Sequence, residues 1–405
     1  MRVLVLNCGS SSVKFQVIGV DRQAPGGERL ARGALERIGE DATLTVETGG
    51  RRHRDTAAAP DHDAAVGAVM AWTRAAGLRF DAVGHRVVHG GERFTRPTPL
   101  DPPVIAEIEK LEALAPLHNA PSLAGIRAAG TALGPGVPMV AVFDTAFHAT
   151  LPAHAARYAL PEELARRHGV RRYGFHGSSY RAVLARYCAL AGTPPERATV
   201  VALHLGNGAS AVAIRDGRSV DTSMGFTPLE GLVMGTRAGD LDAAVVGHLA
   251  RGEGVRVEDV ERWLNERSGL LGVSGRSRDM AELLAVARED PRAELAVELF
   301  CYRARKYVGA YLAALGGADA LIFTGGIGEH APEVRARITA GMAWCGIALD
   351  AEANARIVGR EGRITAGGTR IAVFVIPTDE ELIIAQDTAE TLGGADGRAG
   401  TTARG

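Results

Sequence analysis

Lysine is nearly missing from this chain. All but three of the 46 basic residues are arginine, the exceptions being Lys14, Lys110 and Lys306. Excess charge of either sign is also missing, since the formal net charge is -1, which argues against a nucleic-acid or polyanion surface. No apolar run reaches the length of a membrane span. Met1 opens directly into a strand-like run with no signal-peptide pattern. The four cysteines, Cys8, Cys188, Cys301 and Cys345, are scattered without a C-x-x-C pair. That pattern predicts free thiols in a reducing cytoplasm and no disulfide framework. No G-x-x-x-x-G-K-[ST] and no H-E-x-x-H occur, which removes the Walker A loop and the common helical zinc motif.

What is present begins with Val3–Leu6, a short apolar run that reads as a buried strand. Asn7, Cys8 and Gly9 break it, Ser10, Ser11 and Ser12 form a turn, and Val13–Ile18 reads as a returning strand. Hydroxyls and backbone N–H groups in such a turn can face phosphate oxygens, with Lys14 as a point charge. An ordinary hairpin with a serine-rich turn fits the same residues. The placement of one of only three lysines beside the turn favours the phosphate reading, because a compact ammonium and a guanidinium are not interchangeable.

Length allows two domains. Strand-like and helical patterns alternate: Leu30–Ile38 and Thr43–Glu47 as strands, 61–77 as a helix, 81–88 as a strand, 101–114 and then a stretch to about 129 as helices, and 137–143 as a strand ending at Asp144. A boundary falls near residue 147. Helices are expected over 178–191, 240–250, 257–265 and 294–315. Val200–Ile214 repeats the plan of residues 3–18, an apolar strand, a small polar turn and an apolar strand, which suggests an internal duplication. Ala320–Phe323 reads as a strand ending in a Gly-rich turn, 324–329, with a helix from about Pro332. A turn of that kind suits an anion at the helix start. Arg370–Ile376 is the last strand, and a final helix runs to about Leu392.

Asn7, Arg86, Asp144, Asn207 and Glu380 fall at expected strand ends, where open α/β sheets bind ligands. Arg237 lies in a Gly-flanked loop. Arginines, a histidine and Lys14 around one ligand would make an electrostatic site for phosphoryl transfer. Taken singly, each arginine also fits a solvated surface. His85 and His89, four apart, invite a zinc reading. They lie on a strand-like segment, however, where that spacing does not present two ligands as a helical turn does.

Taken together, the segments Leu4–Phe15, Gly84–Gly91, Asp144–His148, Tyr173–Gly177, His204–Gly208, Met234–Arg237, Gly325–Glu329 and Thr378–Glu381 resemble the acetate and propionate kinase family, in order, from residue 1 to about 392. The resemblance implies an α/β fold of two duplicated RNase H-like domains of the acetate and sugar kinase/Hsp70/actin superfamily, with a cleft between them. It places residues 1–147 with about 381–392 in the first domain and 148–380 in a nucleotide-binding second domain, leaving 393–405 as a disordered tail. It implies phosphoryl transfer from ATP to acetate, giving acetyl phosphate and ADP, with Mg²⁺ or alternatively Mn²⁺. Asn7 and Glu380 would hold the metal. Ser10, Ser12 and Lys14 would approach the nucleotide phosphates, Arg86 would bind the acyl carboxylate, and Asp144, His176 and Arg237 would complete the catalytic set. His204, Leu205, Gly206, Asn207 and Gly208, the segment Asp279, Met280 and Ala281, and Gly325, Gly326, Ile327, Gly328 and Glu329 correspond to nucleotide-binding segments. Val88, Leu117, Phe175 and Pro228 correspond to the pocket for the acetate methyl. A cytoplasmic homodimer is implied, with no membrane or nucleic-acid partner.

The match has departures. Ala281 stands where the family carries an arginine beside the adenine, which puts nucleotide affinity in question, with Arg276 and Arg278 as nearby substitutes. Tyr180 stands where histidine is common, His330 follows the Gly-Ile-Gly-Glu motif in place of asparagine, and Asp379 precedes the metal glutamate in place of asparagine. A propionate-preferring kinase shares the motifs. A non-catalytic ATP-driven clamp shares the fold, and Arg86, His176 and Arg237 favour the enzyme over it.

Overall fold

The computed structural model describes residues 1–21, 26–114 and 116–399, apart from the side chains of 113–118 and 394–399. The chain divides into two compact units, Met1–Phe147 with Asp379–Gly405, and His148–Thr378.

In the first unit, Val3, Leu4, Val5 and Leu6 are at most 1% exposed. The reason is that β1 (Arg2–Gly9) is covered on both faces, as an unbroken apolar run predicts. It pairs antiparallel with β2 (Ser12–Val20) across the two-residue turn Ser10–Ser11. The strands β3 (Gly27–Glu36), β4 (Thr43–Thr48), β5 (Arg51–Thr56), β6 (Ala82–Val87), β7 (Thr98–Pro99) and β8 (Met139–Phe143) complete a sheet of order β5-β4-β3-β2-β1-β6-β8-β7. On one face Leu4, Leu6 and Cys8 pack against α1 (His62–Ala75) and the helix Pro116–Leu133. On the other, Val3 and Val5 pack against Ile384, Ala385 and Ala389 of the C-terminal helix Glu380–Ala399. Both helical layers press close. A Cβ on Gly125 would lie 2.3 Å from Cys8 Sγ, and one on Gly84 would lie 2.5 Å from Thr388 Oγ1. The helix starts follow the sequence signals: Asp61 accepts from Ala64 N, and Asp101, just before Pro102 and Pro103, accepts from Val104 N.

The second unit carries β9 (Thr199–Leu205), β10 (Ala209–Arg215), β11 (Arg218–Thr222), β12 (Ala320–Thr324), β13 (Gly362–Arg363) and β14 (Ala372–Val375), in the order β11-β10-β9-β12-β14-β13. β10 and β11 run antiparallel to their neighbours on one side of β9, while β12 and β14 run parallel on the other. The run β3-β2-β1-β6-β8 of the first sheet has the same directions. The duplication suggested by two strand–turn–strand segments therefore extends to five strands in each unit. The long helix Pro291–Leu315 buries Ala296, Val297, Phe300, Ala304 and Val308.

Several boundaries differ from the expectation. The Gly-rich segment after β12 is itself helical, Gly325–His330, ahead of the helix at Pro332. The helix expected from residue 240 starts at Ala244. Asp240 is engaged before it, its Oδ1 accepting from Gly231 N. The C-terminal helix continues to Ala399 where a disordered tail was expected from 393, and residues 400–405 lie outside the described residues. Among the described residues no helix is long and apolar enough to cross a membrane, and all four cysteines are buried and free.

Candidate active site

The first unit gathers its polar residues around Arg86, near the end of β6. Arg86 donates from Nε to Asp144 Oδ1 at 3.1 Å, from Nη2 to Asp144 Oδ2 at 2.5 Å, and from Nη1 to Asn7 Oδ1 at 3.2 Å. Glu380 Oε2 lies 3.8 Å from Arg86 Nε. Asp144 is 1% exposed and is fixed by its own N–H, which donates to Val87 O. Burial works first against the charge on Arg86. Asp144 and Glu380 outweigh it and hold the guanidinium firmly protonated, above its ordinary value. Burial raises the Glu380 carboxyl above the usual carboxylate range, against the opposing pull of Arg86.

Glu380 was expected at a strand end on the other domain from Asn7. It is instead the first residue of the C-terminal helix, in the same unit as Asn7, because that helix returns to the first sheet. Lys14 stands directly opposite Asn7 in the β1–β2 register, exposed. Ser10 is exposed and Ser12 half-buried at the turn. Asn7 Oδ1 and the Glu380 carboxylate both border Arg86 and offer hard oxygen donors. No larger cluster of metal-binding side chains occurs among the described residues. This donor set fits Mg²⁺, which usually takes one or two protein oxygens and fills the rest of its shell with water and phosphate.

In the second unit, His176 sits at the junction of the 173–176 arm and the helix Gly177–Ala191, with φ 59°, a left-handed conformation that a β-carbon disfavours. Its Nδ1 is 2.8 Å from Ser210 Oγ, which also meets Tyr180 OH at 2.5 Å. Ser210 thus bridges the Tyr180 hydroxyl and the His176 ring and fixes the ring's orientation. The His176 ring stacks on His204, centroids 4.1 Å apart, and His204 Nδ1 is held by Ser179 Oγ at 2.8 Å. Thr378 Oγ1 donates in turn to Ser179. Arg237 Nη1 donates to Pro228 O at 3.2 Å. A Cβ on Gly208 would lie 3.6 Å from both Arg237 Nη1 and His176 Nε2, so these two donors converge on one small space.

The nucleotide-related segments fall in the same unit. Gly206 N donates to Gly208 O, and Gly235 N donates to Asn207 O at 2.9 Å. Arg278 O lies 3.2 Å from where a Gly235 Cβ would be, so the 276–281 segment borders this turn. Asp279 was expected to face a nucleotide, but its carboxylate caps the helix Met280–Val286, accepting from Ala281 and Glu282 N. Met280 was expected there too, but it is buried as the first apolar residue of that helix. Ala281, Arg276 and Arg278 are exposed. Gly325, at φ 77°, packs so closely on Leu205 that a Cβ would lie 2.7 Å from Leu205 O. The Gly325 N–H is not on offer to a ligand, because it donates to Glu329 Oε1, which also accepts from Thr378 N at 3.2 Å. Glu329 is thus committed to the backbone. Gly326 is exposed, Ile327 half-buried and Gly328 buried.

Of the residues related to the methyl pocket, Val88 is half-buried just after β6, and Phe175 and Pro228 are buried. Leu117 is within the helix Pro116–Leu133, but its side chain lies outside the described residues. His85 is buried within β6, and His89 lies beyond it with Nδ1 accepting from Gly91 N. Neither joins a metal-binding group among the described residues. Ser210 and Ser179 had no role in the sequence expectations, and Thr378 entered only as the start of a matched segment; together they set the two imidazoles. Ser210 had one available signal, its place in the second copy of the strand–turn–strand plan.

The pattern of the Acetokinase family matches residues 2–386. A relative named acetate kinase, from Solibacter usitatus, is 53% identical across 97% of this chain and 98% of its own. Among solved structures, acetate kinase from Porphyromonas gingivalis superposes with a TM-score of 0.90 at 42% identity, covering 96% of this chain and 99% of that one. A propionate kinase from Francisella tularensis also reaches 0.90, at 37% identity and the same coverage.

Proposed function

The chain belongs to the Acetokinase family, and on that premise we propose that it transfers phosphoryl groups reversibly between ATP and acetate, with acetyl phosphate and ADP as products. The observation that carries the reading is that His176 Nε2 and Arg237 Nη1 both border Gly208, each 3.6 Å from where a Cβ would lie.

The acceptor is a carboxylate. With a pKa of roughly 4–5, like those of side-chain acids, it is ionised at neutral pH and needs no base. The obstacle is bringing two anions together, so positioning and cations do the work. Arg86 binds the acetate carboxylate, and Asp144, bonded to Arg86 through both oxygens, orients it. His176 and Arg237 stabilise charge on the transferring group. Lys14 meets the nucleotide phosphates, with Ser10 and Ser12 beside it. Asn7 and Glu380 hold Mg²⁺, which supplies charge neutralisation on phosphate oxygens. The Asn207 turn, the 276–281 segment and the Gly325–Glu329 helix take the nucleotide, the last two shaping its site through backbone. Val88, Leu117, Phe175 and Pro228 contact the methyl group. The enzyme acts as a cytoplasmic homodimer. The exposed Leu295, Leu299 and Tyr302 on the long helix supply an apolar face for the second copy.

Acetate is the preferred acyl acceptor. Trapping of acyl phosphate by hydroxylamine, with ATP and Mg²⁺, should give the fastest turnover on acetate, slower on propionate and poor on butyrate. Faster turnover on propionate than on acetate overturns the acetate assignment, and no trapping with any of the three overturns the kinase reading.

A further inference from the structure

Arg237 Nη1 donates to Pro228 O at 3.2 Å and meets Met234 Sδ at 3.6 Å, so the loop that carries Pro228, residues 222–231, is one of the supports that set its direction. That loop is built around three side chains that none of the motifs contains. Arg172 Nη1 donates to three successive carbonyls, Thr222 O at 3.0 Å, Ser223 O at 3.0 Å and Met224 O at 3.2 Å. Arg172 Nη2 donates to Glu230 Oε1 at 2.5 Å, and Tyr158 OH donates to Glu230 Oε2. The same hydroxyl accepts from Phe226 N at 2.9 Å. The guanidinium lies over the Tyr158 ring, 5.7 Å from its centroid.

The packing is tight enough to dictate sequence. A Cβ on Gly225 would lie 1.7 Å from Glu230 Oε2 and 2.0 Å from Tyr158 OH. Gly225 O then accepts from Tyr173 N at 3.0 Å. The loop is thereby tied to the 173–176 arm that ends in His176. One cluster thus touches the supports of both donors that converge beside Gly208.

We propose that Tyr158 and Glu230 are positioning residues: they lock the 222–231 loop and so set where Arg237 points, and how far Pro228 stands from the arm carrying Phe175 and His176. The proposal rests on the phosphoryl-transfer reading for the role of Arg237. It adds two residues that act through the loop, without touching substrate. Loss of either support misplaces the donor by a fraction of an ångström to an ångström, which is costly in a preorganised site.

The test is Tyr158→Phe, which deletes one oxygen, with Glu230→Gln as the milder partner, since its amide oxygen can still accept one of the two bonds. Trapping of acyl phosphate should show kcat on acetate down about tenfold in Tyr158→Phe and KM for ATP within about twofold. The acetate-over-propionate ratio should change, and Glu230→Gln should fall between it and wild type. Backbone amide exchange over 222–231 should speed up in Tyr158→Phe without a matching rise across the two sheets. A folded Tyr158→Phe with unchanged kcat, unchanged acyl ratio and unchanged exchange in the loop overturns the proposal. Faster loop exchange in a protein whose wild type phosphorylates no carboxylate leaves the loop lock standing and removes the phosphoryl-transfer reading instead.

Discussion

Arg86 and Asp144 are joined by two parallel hydrogen bonds, Nε to Oδ1 at 3.1 Å and Nη2 to Oδ2 at 2.5 Å, and Asp144 is almost wholly buried. A carboxylate that meets one guanidinium through both oxygens fixes the direction of that arginine by a planar, bidentate match. The geometry therefore makes Asp144 an orienter of Arg86. Asp144→Asn should lower kcat/KM by about two powers of ten through loss of that orientation. The fall should be uniform from pH 6 to 8, since what is lost is orientation. If the variant loses an acidic limb that the wild-type profile shows, Asp144 is a base after all. Arg86→Ala should be the worse change for the fold, because it leaves a buried carboxylate without its partner.

Glu380 makes a looser contact with the same arginine, at 3.8 Å. Its removal leaves the Arg86–Asp144 pair intact. Glu380→Ala should therefore unfold, without metal, within a few degrees of wild type. The Mg²⁺ concentration for half-maximal rate should rise by about tenfold or more, as losses at a metal site commonly do. An unchanged Mg²⁺ dependence removes Glu380 from the metal site.

Much of this site was legible because its residues sit on elements with strong local signals. Val3–Leu6 is apolar throughout and had to be a doubly covered strand; Asn7 was expected to break it, but the strand runs on to Gly9 and Asn7 lies within it, opposite Lys14. Asp61 and Asp101 announced their helices. What stayed hidden had no local signature. β5 reads Arg-Arg-His-Arg-Asp-Thr and is exposed at every position, so it has no alternation to detect. Its charges suit an edge strand, where they discourage pairing with another chain. Glu380 fell just outside the expected boundary: residues 381–392 were already placed with the first domain, and the helix that packs Ile384 and Ala385 against Val3 and Val5 starts at Glu380 itself. Met280 and Asp279 match a nucleotide motif in sequence; the Met280 side chain lies in the core and the Asp279 carboxylate caps the helix Met280–Val286, a placement only the fold reveals.

Two buried histidines make the folded state sensitive to acid. His148 lies between Ser219 Oγ and Phe175 O, and burial lowers its pKa from 6.5 to about 4. Burial lowers His85 to about 3. Between those values and 6.5 the unfolded chain binds protons that the folded chain does not. Stability is therefore fully present above about pH 6.5 and falls as pH drops, by up to about 1.4 kcal/mol per pH unit for each imidazole. Denaturant unfolding at several pH values should show this slope down to about pH 4. His148→Gln can keep both hydrogen bonds and should remove one imidazole's share of it. An unchanged slope in that variant means His148 does not stay neutral in the fold.

The sharpest test of the shared anion space is a single methyl group. Gly208 needs no left-handed backbone, and a Cβ there would meet Arg237 Nη1 and His176 Nε2 at 3.6 Å each, ordinary contact distances. Gly208→Ala should accordingly fold and melt close to wild type, with a change within about 1 kcal/mol. On the proposed reading the methyl nevertheless takes up space beside His176 and Arg237 that a phosphoryl oxygen would use, and it replaces polar contact with apolar surface. Turnover should fall by about two powers of ten or more, comparable to deletion of an oxyanion donor. ATP binding measured without acetate should change far less. The contrast with Gly235 sharpens the reading. A Cβ on Gly235 would lie 2.0 Å from Asn207 Oδ1, so Gly235→Ala should disturb the turn itself and weaken nucleotide binding directly. If Gly208→Ala turns over acetate at the wild-type rate, then His176 and Arg237 do not grip one anion, and the two donors must serve separate groups.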